Sequence, residues 1–187
     1  VVGIVVIALA ATGAWAGGAM AMANRAAARG FDAAQQHEWD DALAAYRTAL
    51  RYDPRAAEIH ALIGDVYRIQ SSLTTDADLQ PERQLIARRA IDAYQRALEL
   101  NRYYSEVMLK MAAACELAGD SARAFRWYEQ ALQVDPNNAF NWIRLGTFYH
   151  RQGDTPKAIA ALEHARKLSP GDWTAVNVLK EIQTGQP

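Results

Sequence analysis

The side chains able to do covalent or metal chemistry are few and dispersed. Cys115, the histidines His37, His60, His150 and His164, and the carboxylate pairs Asp40/Asp41 and Asp76/Asp78 are the candidates. A nucleophilic triad needs a thiol or hydroxyl beside a histidine that an acid orients. No spacing here assembles one. A single cysteine permits neither an intramolecular disulfide nor a multi-thiol zinc cage. Asp40/Asp41 read as acids favouring a helix start, and Asp76/Asp78 as part of a polar turn. No glycine-rich phosphate loop occurs either. The sequence therefore predicts no catalytic, cofactor-binding or metal site, and no small-molecule substrate. With 20 basic against 21 acidic residues the net charge is −1, which gives no general pull toward nucleic acid. At 51% apolar and 22% charged, the 187 residues can build a folded core.

What positions the remaining polar groups is a chain of two compositions. Residues 1–23 carry no charged side chain, and every charge falls after Asn24. As a helix, such a stretch spans roughly 35 Å at about 1.5 Å per residue, enough for a hydrocarbon core of about 30 Å. The expectation is a retained transmembrane anchor over residues 1–23. The alternative is a cleaved secretory signal, since Ala14-Trp15-Ala16 and Ala21-Met22-Ala23 both fit a small-x-small cleavage site. Gly13 and Gly17 form a G-x-x-x-G pair that Ala14 and Gly18 repeat one residue on, a strip where another helix could approach. Trp15, in mid-segment, fits a protein neighbour there better than bare lipid.

Beyond Asn24 the sequence repeats. Trp142-Ile143-Arg144-Leu145-Gly146-Thr147-Phe148-Tyr149 follows the pattern W-x-x-L-G-x-x-Y, and Ala158, Leu162, Ala165 and Pro170 continue it. An earlier unit places Met108, Met111, Ala112 and Cys115, then Ala124, Tyr128, Ala131 and Pro136, in the same slots. Before that come His60, Ile63, Gly64 and Tyr67 with Ala90, Tyr94 and Ala97, and at the start Gly30 with Ala42, Tyr46, Ala49 and Pro54. The small residues Gly30, Gly64, Ala112 and Gly146 permit close helix approach, and Tyr46, Tyr94, Tyr128 and Leu162 fill the hollow. Prolines stop the second helices.

This chain resembles the tetratricopeptide repeat family. The resemblance implies an all-α fold: an N-terminal transmembrane helix followed by an α-solenoid, a right-handed superhelix of antiparallel helix pairs. The expected domains are the anchor at 1–23, four repeats over 24–171 (about 23–56, 57–104, 105–138 and 139–171), and a capping helix and tail at 172–187. That last helix should turn Val176, Leu179 and Ile182 inward. The second repeat holds 14 extra residues, since Tyr67 and Ala90 lie 23 apart where Tyr149 and Ala158 lie 9 apart. Shared equally, they add about two turns to each helix and make a longer hairpin. Residues 71–78 read as its polar tip, Pro81 restarts the return helix, and Leu85 and Ile86 face inward. The extra length could be a plain loop expansion or a protruding contact arm.

In proteins of this kind the first helices line a groove that holds a segment of a partner. Here that face comprises Glu58, Ala61, Asp65 and Arg68, then Leu109, Ala113 and Glu116, then Ile143, Thr147, His150 and Arg151. The clamp for a C-terminal carboxylate known in chaperone-binding relatives maps onto Ala27, Phe31, Leu62, Glu106 and Lys110, of which only Lys110 is basic. That specialised role does not fit. The resemblance thus implies a noncatalytic, membrane-anchored scaffold or adaptor, an accessory or assembly subunit of a membrane protein complex. The alternatives are a transient biogenesis factor of the cytochrome- or pilus-assembly type and the noncatalytic part of a larger regulatory protein. Arg25 and Arg29 favour a cytoplasmic domain, whereas bacterial relatives with such anchors place it on the periplasmic side of the inner membrane. Deleting residues 1–23 is expected to leave a soluble, helical domain with a cooperative thermal melt by circular dichroism. Aggregation or a broad, non-cooperative melt would move the domain boundary away from Asn24.

Overall fold

The computed structural model describes the backbone of residues 2–184 and the side chains of residues 17–184. The described residues form helices and turns only. The helices are α1 (Val2–Gln35), α2 (Trp39–Tyr52), α3 (Ala57–Leu73), α4 (Gln80–Leu100), α5 (Ser105–Leu117), α6 (Ser121–Val134), α7 (Ala139–Arg151), α8 (Thr155–Leu168) and α9 (Trp173–Thr184), with a 3-10 turn at Ala77–Leu79 before α4. They pair in order, α1 with α2, α3 with α4, α5 with α6 and α7 with α8, and α9 lies on α8 and α7. One compact unit, Val1–Asn101, contains α1 to α4, and a second, Arg102–Pro187, contains α5 to α9.

Local chemistry sets the ends of these helices. Asp120 and Asp154 accept the backbone N–H groups of Arg123 and Lys157 and so cap α6 and α8. Before each cap stands a left-handed glycine, Gly119 at φ 81° and Gly153 at φ 78°. The same place between α1 and α2 is held by His37 at φ 61°, a conformation that costs a residue with a Cβ about 1–2 kcal/mol. His37 also sets its ring edge-on to Trp39 at 4.9 Å. At the start of α7, Trp142 donates its ring N–H to the Pro136 carbonyl at 2.8 Å. His60 stands in the corresponding slot of α3, with Nε2 3.3 Å from the Pro54 carbonyl oxygen.

Within three of the four pairs, the helices interlock through a bare backbone position, and in the α5/α6 pair Ala112 takes that place. A Cβ added at Gly30 would meet the Tyr46 ring at 2.6 Å, and one at Gly64 the Tyr94 ring at 2.5 Å. At Gly146 it would meet Leu162 at 2.7 Å. Tyr94, Tyr128 and Leu162 are fully buried at 0% exposure and Tyr46 nearly so at 1%. Around the first of these locks pack Ala26, Ala42, Leu43, Ala49, Ile59 and Val66. In the second unit Ile143, Leu162 and Ala165 pack with Ala175 and Leu179 of α9, flanked by Val178 and Ile182. The inward stripe of α9 therefore runs through Ala175 and Val178, and Val176, expected on it, lies off that stripe.

Three expectations need correction. The extra residues of the second pair are shared unequally: α3 has 17 residues against 13 in α5 and α7, and α4 has 21 against 14 in α6 and α8. The remainder forms the turn. Ser71 belongs to the last turn of α3 and not to a polar tip; it is fully buried and its hydroxyl donates to the Arg83 carbonyl at 2.9 Å. Leu85 is 53% exposed, whereas Ile86 is 6% exposed. The inward register of α4 is fixed by Tyr94 and Ala90, and helical steps of three or four back from these reach Ile86 and Ala87, leaving Leu85 beside the stripe.

At the N-terminal side, α1 crosses Asn24 as one helix, so the change of composition there is no break in the backbone. Its 34 residues exceed the 14 of α2. Among the described residues no helix is long and apolar enough to cross a membrane. Over residues 1–16 of the expected anchor, which include Gly13, Ala14 and Trp15, side-chain placement lies outside the described residues. Gly17 and Gly18 are described, and a Cβ at either would meet nothing within 4 Å.

The interlock makes a sharp prediction. Gly64→Val should destabilise the protein by about 2 kcal/mol, because the buried Tyr94 ring cannot retreat from the new side chain. Urea denaturation followed by circular dichroism would register this as a lower midpoint with an unchanged slope, while Gly17→Val, in open space, should leave the midpoint in place.

Candidate partner-binding faces

Tyrosine in the interlock does more than fill space. In the first unit the Tyr94 ring is buried between α3 and α4, and its hydroxyl emerges on the α3 side. There it donates to Asp65 Oδ1 at 2.7 Å and accepts from Arg68 Nε at 3.2 Å. Arg68 and Asp65 close the triangle as an ion pair at 3.5 Å. In the second unit the Tyr128 hydroxyl donates to Glu116 Oε1 at 2.6 Å. Arg151, from α7, then binds the same carboxylate in two-pronged fashion, with Nε 3.0 Å and Nη2 2.7 Å from Oε2. Each network runs from a buried ring to the surface. The Arg151 side chain is 44% exposed and that of Glu116 only 17%.

Burial disfavours ionised phenolates here, and the neighbouring carboxylates add to the effect. Tyr46 is pushed up to about 12 from its ordinary 10.0, by burial first and then by Asp65 and Asp32. Tyr94 is raised by burial and Asp65, and Tyr128 by burial and Glu116. All three stay neutral donors at physiological pH, which is what a carboxylate partner requires. Burial likewise pushes the Cys115 thiol up to about 11, so it is protonated and inert at neutral pH. Among the described residues no group of three or more His, Cys, Asp or Glu side chains is placed to hold a metal ion.

The residues expected on the first-helix faces divide into three sets. Asp65, Arg68, Glu116 and Arg151 form the networks just described. Glu58 and His150 are exposed, and Thr147 is half-buried with its hydroxyl bonded to the Ile143 carbonyl at 2.8 Å. Ala61, Leu109 and Ile143 are turned inward, at 4%, 4% and 3% exposure, so their side chains belong to the packing and not to a surface. Lys110, the one basic residue at a clamp position, pairs with Glu106 at 2.9 Å.

Sequence reasoning missed the tyrosine hydroxyls and Asn141. Asn141 is 1% exposed and donates to the Ala131 and Asp135 carbonyls at 3.2 and 2.9 Å, tying α7 to the end of α6. A signal for the hydroxyls existed: Leu162 fills the same slot without one, so tyrosine at 94 and 128 calls for a polar partner on the facing helix.

These tyrosines set an alkaline limit. Their folded values lie above the unfolded one, so their stabilisation is complete below about pH 10 and is lost as pH rises through 10 toward the folded values. Tyr128→Phe should therefore show a shallower loss of stability between pH 9 and pH 12 than the parent in thermal melts, with ~1.5 kcal/mol already missing at pH 7 from the lost bond to Glu116.

Comparison with known proteins bears on the helix pairs directly. Residues 34–68 match a family model described as TPR repeat, and residues 105–138 and 127–160 match models described as tetratricopeptide repeat. The fold is similar to the crystal structure of a thermophilic TPR protein of Thermus thermophilus, with a TM-score of 0.72 at 17% identity over 83% of this chain and 78% of that one. Among curated proteins, the general transcriptional corepressor ssn6 of Schizosaccharomyces pombe is 28% identical over 133 residues, 70% of this chain and 11% of that protein. Protein O-mannosyl-transferase TMTC1 of Mus musculus is 31% identical over 86 residues, 44% of this chain and 9% of that protein. Superkiller protein 3 of Saccharomyces cerevisiae is 33% identical over 51 residues, 27% of this chain and 4% of that protein. The chain thus spans about a tenth or less of the length of each curated relative. Residues 34–68 and 105–160 are thus tetratricopeptide repeats by sequence, and the described residues share the all-helical fold of a TPR protein.

Proposed function

We propose that this chain is a noncatalytic scaffold, an accessory or assembly subunit that holds a polypeptide segment of a partner and is tethered to a membrane by residues 1–23. The observation that carries the protein-binding reading is the charged network on each first-helix face. Asp65 with Arg68, and Glu116 with Arg151, are fixed by buried tyrosines, and both present acidic and basic groups in set positions. Prearranged groups of this sort lose little freedom when a partner arrives. The tether rests on the uncharged run before Asn24 and on the length by which α1 outruns α2. Location at a bacterial inner membrane, with the repeats on the periplasmic side, belongs to the same proposal.

The test is purification of the intact chain from detergent-solubilised membranes, followed by mass spectrometry of what accompanies it. A subunit should bring a protein partner at fixed stoichiometry, and Glu116→Lys should release it. A partner captured only after cross-linking would favour a transient assembly factor. Recovery of the intact chain wholly in the soluble fraction would dispose of the tether, and protease protection in spheroplasts would decide the side.

A further inference from the structure

We propose that the outer side of α6 is a separate docking site that takes an acidic segment of a partner protein. A cavity of about 210 Å³ opens there, lined by Arg123, Arg126, Trp127 and Gln130. The four residues step by three, one and three along the sequence, which puts them on one stripe of the helix. The stripe buried in the pair, Ala124, Tyr128 and Ala131, lies about a third of a turn away. Trp127 is half-buried and the other three are exposed.

The fold does not need an indole at this place. The residue immediately before the core slot of each other second helix is alanine: Ala45 before Tyr46, Ala93 before Tyr94 and Ala161 before Leu162. The charge there is only partly compensated too. Arg126 is held by the Ala122 carbonyl at 3.4 Å and meets no carboxylate among the described residues. Arg123 meets one, Asp120, only at 3.9 Å. Guanidinium groups on either side of an indole can bind carboxylates in two-pronged fashion while the ring takes an apolar neighbour. Gln130 adds a donor and an acceptor suited to a peptide amide. Arginine and tryptophan are also the residues that dominate protein interfaces. The mixture of apolar, amide and cationic groups fits an acidic peptide better than a bare phosphate, and the overall charge of −1 gives no polyanion-binding field.

This inference rests on the protein-binding reading but not on the first-helix faces. The probe is a fluorescein-labelled octapeptide alternating glutamate and leucine, followed by anisotropy, with the matched lysine–leucine octapeptide and inorganic phosphate as comparisons. The glutamate peptide should bind saturably and the lysine peptide should not. Arg126→Glu should weaken the glutamate peptide at least tenfold and admit the lysine peptide. Trp127→Ala, which installs the residue found in the other three pairs, should weaken binding about tenfold with an unchanged thermal melt. Arg151→Ala should leave binding as it was. The proposal is overturned by absence of saturable binding, by equal affinity for the lysine peptide, by displacement with millimolar phosphate, or by indifference to Arg126→Glu. If Arg151→Ala abolishes binding and Arg126→Glu does not, the peptide occupies a first-helix face; the proposed function then stands and this site falls.

Discussion

Everything in these helix pairs depends on the contact between a large side chain of one helix and a position on the other held by glycine or, in the α5/α6 pair, by alanine. Tyr46 against Gly30, Tyr94 against Gly64 and Leu162 against Gly146 bring ring or methyl carbons to distances that any larger residue at the glycine would forbid. Close approach brings dispersion contacts and excludes water along the seam. It also fixes the axial offset of the two helices, because the knob has one hole. Glycine weakens a helix by about 1 kcal/mol relative to alanine, so its use here is sensible only where the backbone surface itself is the packing partner.

The same contact organises the polar chemistry. A phenylalanine would fill the hollow equally well, but a tyrosine ring of that length carries its hydroxyl out through the seam to the facing helix. The acid that receives it, Asp65 or Glu116, is thereby held in one rotamer, and the arginine that completes the network is oriented by the acid. Core packing and surface pattern are therefore one design. Core and surface are coupled through Tyr94 and Tyr128, whose rings fill the seam and whose hydroxyls fix the carboxylates of Asp65 and Glu116.

The repeated part of this architecture was legible because its cause is local and recurs. Small residues, aromatic knobs and prolines return at fixed spacing, and the helix pairs follow from them. Where the period is broken, the reading fails in a physical way. The division of the 14 extra residues depends on where the turn of the hairpin is cheapest, and Ser71 shows that the buried seam continues beyond the point where polar composition suggested a tip. Ile143 illustrates a second limit: α7 packs against both α6 and α8, so its inward surface is wider than a single pair predicts. His37 shows a third, for a left-handed turn normally signalled by glycine is here held by a histidine packed on Trp39.

Satisfied and unsatisfied charge also differ across the surface, and that difference constrains what can bind where. A ligand approaching Glu116 meets a carboxylate already engaged by Tyr128 and by both prongs of Arg151, so it must either join the network from outside or replace an existing bond at equal strength. Such a face discriminates by geometry and adds little net attraction. On α6 the balance is reversed. Arg126 has no internal carboxylate to surrender among the described residues, so an incoming acid forms an ion pair without first breaking one, and the half-buried indole beside it supplies apolar contact at the same place. On the proposed reading, affinity would therefore concentrate on the outer side of α6, and selectivity on the first-helix faces.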